Sequence, residues 1–478
     1  MKRRTLLALS SASLLPEQVL QAVFNRAAAQ QQPVVRYDVT SSQGQAMLKI
    51  YAGAVQKMTE LANNKATTGD PFSWVFQWYT HYAPRPKNQE ISRIYSAGSQ
   101  QYRALAEAAW NTCQAHGGAN EQENSFLPWH RMFVMTFEQI IRQVSGQQQF
   151  TLPYWNYTDA NNRAIPPQFR NGSDPVFGTL YRQDRNPGVN QGQPIDQGIN
   201  PTPLNLDAMK SPTYGPDGGD QGFCANLDGG LHGAVHDLVG TGTNMGYVPT
   251  AGGDPVFWMH HCNIDRVWAS WNKAGGQNVY DDLSFTFAGP QKTAVTYSSK
   301  SVSDTVPLGY VYDNYLTPPA QAAQVAALAA RPRPRASAPA TVAASTNVSV
   351  GTTGRPVTVR LTHRTMLKSN TLTSPSTQRV FLVLRDFKVS RQPGVIYSVY
   401  LNDASGRQGP YVGAINFFSA MAPMGGMTMG GVKRGVSFEI TGLADPAHMQ
   451  AVSVTFVPHG QPATGAAPQV GSVSVEVQ

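Results

Sequence analysis

Asp254-Pro-Val-Phe-Trp-Met-His-His-Cys-Asn-Ile-Asp-Arg-Val-Trp268 is the stretch on which the reading of this chain turns. Pro255 suits the first turn of a helix, where a missing N–H costs nothing, and Asp254 suits its N-cap. A helix begun there carries His260 or His261 inward. Upstream, Leu231-His-Gly-Ala-Val-His-Asp-Leu-Val239 sets His232 and His236 four residues apart. Residues four apart share one helical face, so both imidazoles reach one metal ion, and His260 or His261 supplies a third. Gly233 follows the first of the pair, so this is not the zinc-protease helix, which needs Glu there.

A second set of three lies earlier in the chain. His130 stands in Phe126-Leu-Pro-Trp-His-Arg131, just inside a helix whose apolar residues recur at Phe133, Phe137, Ile140, Ile141 and Val144. His81 follows an aromatic helix that starts near Trp74. His116 follows a further helix and precedes Gly117-Gly118. Two sites of three neutral imidazoles each suit copper better than other metals. With no carboxylate in either triplet, the facial triad of non-haem iron fits poorly.

The 478 residues are 41% hydrophobic and 14% charged, enough for two domains and a large core. The net charge of +8 comes without a Lys/Arg block, so no nucleic-acid partner is indicated. Three cysteines, Cys113, Cys224 and Cys262, make no disulfide framework, although Cys113 and Cys224 could pair. Lys2-Arg3-Arg4, an apolar stretch from Leu6 to Leu15 and Ala27-Ala28-Ala29 resemble a twin-arginine export signal. The apolar stretch is too short to span a membrane. Export to the periplasm or beyond is therefore expected.

Helical patterns fall near 44–63, 72–82, 99–115, 129–145, 231–239 and 256–272, with long Gly/Pro/Asn-rich loops between them. Residues 318–345 are rich in Ala and Pro. Beyond them the period changes to that of strands, at Val357–Leu361, Val380–Leu384, Tyr397–Leu401 and Val452–Phe456. The expected division is an export signal over 1–29, a mainly α domain with long loops over 30–318, a linker over 319–346 and a β-rich domain over 347–478. Four methionines, at 421, 424, 427 and 429, leave a weak case for Cu(I) storage, since thioethers suit that ion.

Phe126-Leu-Pro-Trp-His130-Arg131 resembles the first copper motif of the tyrosinases, catechol oxidases and polyphenol oxidases. His232 and His236, followed by the stretch from Asp254 to Trp268, resemble their second. The likeness covers most of residues 70–272. It implies a four-helix core holding two copper ions, with His81, His116 and His130 at the first and His232, His236 and His261 at the second. His261 is preferred to His260 because the family's ligand sits four residues before the motif Asp, here Asp265. His260 then supports the ligands from behind.

Two departures stand out. The family's second and third ligands of the first site are commonly nine apart. Here Glu121 stands nine before His130, and His116 fourteen before. Cys113 lies three residues before His116, where a spacing of two accompanies the family's thioether link, so a buried thiol is expected instead.

The resemblance implies oxidation of o-diphenols to o-quinones by O2, and ortho-hydroxylation of monophenols such as tyrosine. The alternatives are a catechol or o-aminophenol oxidase without hydroxylation and, more remotely, an oxygen carrier of the hemocyanin type. By family position Asp228 would hold a water that takes the phenol proton, Gly233 lacks the amide that would assist it, and Val248 leaves the entrance open. The β-rich tail would cover the site, with a plug somewhere in Tyr411–Phe418. A protease cutting the linker would release it.

Overall fold

The computed structural model describes residues 32–113, 125–240, 242–319, 339–363, 379–402, 406–420, 435–443 and 452–478. His116, the stretch read as an export signal, most of the stretch read as a linker and the methionine group lie outside them.

A mainly helical part comes first. Strand β1 (Val34–Arg36) leads into α1 (Ser42–Asn63), α2 (Trp74–His81), α3 (Lys87–Tyr95), α4 (Arg103–Ala109) and α5 (Phe126–Ser145). After a long loop region come α6 (Gly222–Leu227), a widened turn over Asp228–His232, α7 (Gly233–Val239), α8 (Val248–Ala251) and α9 (Val256–Lys273). A hairpin of β2 (Ser284–Ala288) and β3 (Ala294–Ser298) follows, then β4 (Tyr310–Tyr312), which pairs in parallel with β1.

Local chemistry sets the helix ends. Ser41 and Ser73 accept hydrogen bonds from the N–H groups of Gly44 and Phe76, at 2.9 and 3.1 Å, and so cap α1 and α2. Asp254 receives the N–H of Val256 and is clamped by both arms of Arg185, at 2.8 and 2.7 Å. Gly146, at φ 73°, ends α5 in the left-handed conformation that glycine adopts without strain.

The long helices meet through aromatic rings. Phe137 of α5 stacks on Trp258 of α9, and Trp74 of α2 packs against both. Leu48, Tyr51 and Val55 of α1 close the same core. Arg131, Asp265, Arg36 and Glu138 form a buried ionic network within it, which ties α5, α9 and β1 together.

The second part is a sandwich of two antiparallel sheets. One has the order β10-β9-β12-β6, built from β6 (Val357–Arg360), β9 (Tyr397–Asn402), β10 (Gln408–Ile415) and β12 (Ser453–Pro458). The other has the order β11-β8-β13-β5-β7, from β5 (Ala340–Ser349), β7 (Thr362–His363), β8 (Val380–Lys388), β11 (Gly435–Glu439) and β13 (Gln469–Val477). Their inner faces share one core, in which Leu382, Leu384 and Val473 meet Val399, Leu401 and Phe456. The first strand begins at Ala340, inside the stretch read as linker, because Thr341-Val342-Ala343 pairs with the end of β13.

The parts meet along a polar seam. Ser437 of β11 donates to Asp220, and its backbone N–H donates to Asn226 of α6. Arg379 lies between Asp220 and Glu439.

Candidate metal centre

Each histidine reaches the centre for a local reason. His81 is the last residue of α2, and His130 lies in the first turns of α5. His232 and His236 sit one turn apart, and their rings lie 4.6 Å apart. The widened turn at Asp228–His232 depends on Gly230, whose φ of −100° and ψ of −107° break the helix there. His260 and His261 occupy successive positions of α9.

Two clusters result. One ring nitrogen from each of His232, His236, His260 and His261 lies within 4.8 Å of the other three. His81, His130 and the thiol of Cys113 form a similar group. All seven side chains are buried. The clusters face each other: the His130 ring stacks on that of His261, 4.4 Å between centroids and 14° between planes. Cys113, expected as a buried thiol, is buried and has its sulfur 3.9 Å from His130 Nε2. It forms no disulfide with Cys224; all three cysteines are free.

The rear of three of the rings is held. His130 Nδ1 lies 2.8 Å from the Phe126 carbonyl oxygen, and His236 Nδ1 lies 2.7 Å from that of Met245. A ring N–H donated to a carbonyl leaves the other nitrogen's lone pair for a metal. His232 Nδ1 lies 2.8 Å from a carboxylate oxygen of Asp228. Burial, and then the neighbouring imidazoles, push His260 and His261 well below the usual histidine range, so both stay neutral near pH 7. Neutral, desolvated and orientated imidazoles are the donor set that copper takes.

The tail domain reaches this centre. Phe418 lies flat on His236, 3.9 Å between centroids at 7°, and edge-on to His232. Asn416 donates through its amide to the carbonyl of Gly229, at 2.8 Å. A Cβ on Gly233 would lie 2.3 Å from Asn416 Oδ1, so the tail fills the space that a side chain at 233 would need. Val248 opens α8 and is buried in the main core. Tyr157, which neither motif contains, has its hydroxyl 2.8 Å from His260 Nδ1.

Helices that present two opposed sets of buried imidazoles define the class of dinuclear, histidine-held metal centres. The particular family follows from comparison. The model for the common central domain of tyrosinase matches residues 71–205 and 182–274, the region that carries every histidine of both clusters. Residues 71–274 thus belong to the tyrosinase family, whose centre is a copper pair.

A tyrosinase of Hahella sp. is 33% identical over 300 residues, 55% of this chain and 60% of that enzyme. A chloroplastic polyphenol oxidase of Malus domestica is 25% identical over 58% of this chain and 54% of that one. The chain thus spans little more than half the length of these relatives. The solved structure of latent apple tyrosinase superposes with a TM-score of 0.59 over 94% of this chain and 97% of the other, at 19% identity, so the two-part fold is shared.

No helix among the described residues is long and apolar enough to cross a membrane.

Proposed function

We propose that the chain is an exported oxidase that uses O2 to convert o-diphenols to o-quinones and hydroxylates simple monophenols at the ortho position. The opposed imidazole clusters joined by the His130–His261 stack carry this reading. A copper pair bound there supplies the two-electron reduction of O2 and a Lewis acid for the phenol oxygen. The protein's own groups do the rest. Phe126, Phe257 and Trp129 pack round the histidines and exclude water. Asp228, through His232, fixes the orientation of one ligand ring.

Phe418 occupies the face of His236 on which a substrate ring would stack, so the intact chain is a latent form. Cleavage in the Ala/Pro-rich stretch of residues 319–338 would release it.

A second reading, diphenol oxidation without hydroxylation, is favoured by one observation. Asp228 spends a carboxylate oxygen on His232, and Gly233 offers no amide, which weakens the means of taking a phenol proton.

The test is oxygen uptake with tyrosine and with catechol by copper-loaded protein, before and after cleavage of the tail. Uptake with catechol alone selects the second reading. Uptake with neither after clean removal of the tail defeats both.

A further inference from the structure

Outside the metal centre, four oxidisable rings pack in contact beside the first cluster. Tyr79 of α2 lies edge-on to Trp78 at 4.4 Å and to Trp110 at 5.1 Å between centroids, and Trp110 lies 5.9 Å from Tyr95 of α3. The group is joined to that cluster through the backbone at two points. Tyr79 stands two residues before His81, and Trp110 three before Cys113. The N–H of Asn111 donates to the Tyr79 carbonyl at 3.2 Å, which closes the two segments on each other. Trp78 is half-buried and so reaches solvent.

The hydroxyls differ in what they meet. Tyr95 donates to the Gly69 carbonyl at 2.9 Å, the bond of a tyrosine that fills a core. Tyr79 donates instead to a carboxylate, Glu90 Oε2 at 3.0 Å, and Glu90 is 2% exposed. Arg93 and Arg85 hold the same carboxylate at 2.6 and 3.6 Å, and their own side chains are 53% and 68% exposed. A buried ring that loses an electron alone becomes a cation in a poor solvent for charge, at high cost. A carboxylate within hydrogen-bond reach removes that cost by taking the phenolic proton. The positive charge then rests on guanidinium groups that water screens. The indole N–H of Trp110 has no such acceptor: it is buried with no hydrogen-bond partner among the described residues. An electron vacancy on Trp110 therefore passes to Tyr79.

We propose that Tyr79, with Glu90 as its proton acceptor and Trp78 as its outlet, draws stray one-electron oxidising equivalents away from the metal-binding histidines. The inference rests on the reading of the centre as a copper site that reacts with O2 or hydrogen peroxide. Tyr79 gives one electron to the oxidised centre and its proton to Glu90, which leaves a neutral phenoxyl radical and a glutamic acid. Trp78 returns an electron to that radical, and Glu90 returns the proton. A catechol at the surface reduces Trp78 in turn, losing one electron and one proton, and the group is restored. The relay acts when no phenol reaches the centre, as in the latent chain with Phe418 on His236.

Freeze-quench EPR on the copper-loaded full chain, mixed with hydrogen peroxide and no phenol, tests this. The parent should show a phenoxyl radical. Tyr79→Phe keeps the ring, removes the hydroxyl and should lose that signal. Glu90→Gln keeps an acceptor oxygen but no base, and should lose it too, which serves if Tyr79→Phe folds poorly. When catechol is then added, the radical should decay more slowly in Trp78→Phe than in the parent; equal decay would overturn Trp78 as the outlet. Mass spectrometry of the phenol-free samples should find oxidation of the metal-site histidines raised severalfold in Tyr79→Phe and Glu90→Gln, at unchanged copper content. A parent that binds copper and consumes peroxide without a phenoxyl radical, or the same radical in Tyr79→Phe, would overturn the relay and leave the copper reading standing. Equal histidine oxidation in parent and variants would do the same. A folded parent that binds no copper would overturn both.

Discussion

Phe418 and His236 are in face-to-face contact, 3.9 Å apart and 7° from parallel, although they lie 182 positions apart in the chain. The contact joins the tail sandwich to the helix that carries His236. Under the proposed function it couples the docking of one domain to the chemistry of the other. Asn416, two residues earlier, anchors the same segment to the carbonyl of Gly229.

Removal of the Phe418 ring should therefore release the site without loss of the fold. An aromatic contact of this kind contributes about 0.5–1.5 kcal/mol beyond its buried area, a factor of about 2 to 12. Phe418→Ala in the intact, copper-loaded chain should lower KM for catechol by about that factor and change kcat little. After the tail is cleaved away, the variant and the parent should be indistinguishable. An unchanged KM in the intact chain would show that Phe418 does not hold the substrate position.

Gly233 should report on the same contact from the opposite side. Gly233→Ala places a methyl group against Asn416, and overpacking of this kind costs about 1–3 kcal/mol. The strain is relieved if the tail lifts. Hydrogen exchange at residues 411–418 should speed up in the variant, and activity of the intact chain should rise. Exchange rates equal to those of the parent would mean that the tail adapts in place.

The two halves of the metal centre were not equally legible in the sequence. His232, His236 and His261 could be read because a helix imposes a spacing of four and the Asp254–Asp265 stretch marks where the next helix starts. His81 and His130 were readable as helix-end residues, and the structure brings them together. Cys113 was read as a buried thiol, which it is, but its place beside His130 depends on how two helices pack, which spacing does not encode. Tyr157 was invisible for the same reason, since it stands in a loop with no periodicity. The alternation of β6, β8, β9 and β12 revealed the tail sandwich. Its linker boundary was misplaced because Ala-rich β5 is a strand through its pairing with β13 rather than through its own propensity.

The buried histidines set how the metal-free protein responds to acid. His260 and His261 have folded values depressed well below 6.5 by burial. Their contribution to stability is complete above the unfolded value of about 6.5 and is lost as pH falls from there towards the folded values. Each adds a slope of about 1.4 kcal/mol per pH unit, and the pair about 2.7. Urea melts of metal-free protein between pH 7 and pH 5 should show stability falling with pH, and His260→Phe should reduce the slope. A flat profile would show that the imidazoles are solvated before unfolding.

Asp265 offers the sharpest test of what the second motif does besides binding metal. Its carboxylate accepts from Arg131, from Arg36 at 3.1 Å and from the hydroxyls of Tyr310 and Tyr312 at 2.7 and 2.5 Å. Burial alone would raise its pKa, but the two guanidinium groups outweigh burial and hold it below the usual carboxylate range. Its contribution is therefore present above about pH 3.9 and is lost as pH falls through the folded value. Asp265→Asn keeps the shape and removes the charge, which leaves Arg131 buried without its carboxylate while Arg36 retains Glu138 at 2.9 Å. Breaking a buried pair in this way costs about 3–5 kcal/mol. A lower Tm is expected at neutral pH, together with partial loss of copper, because His261 lies one helical turn before Asp265 on the same strut. At pH 3 the difference from the parent should shrink, since the carboxylate of the unfolded parent is then protonated while the folded one is held charged. A variant as stable as the parent at pH 7 would show that the arginines find other partners, and that Asp265 does not fix α9 against α5.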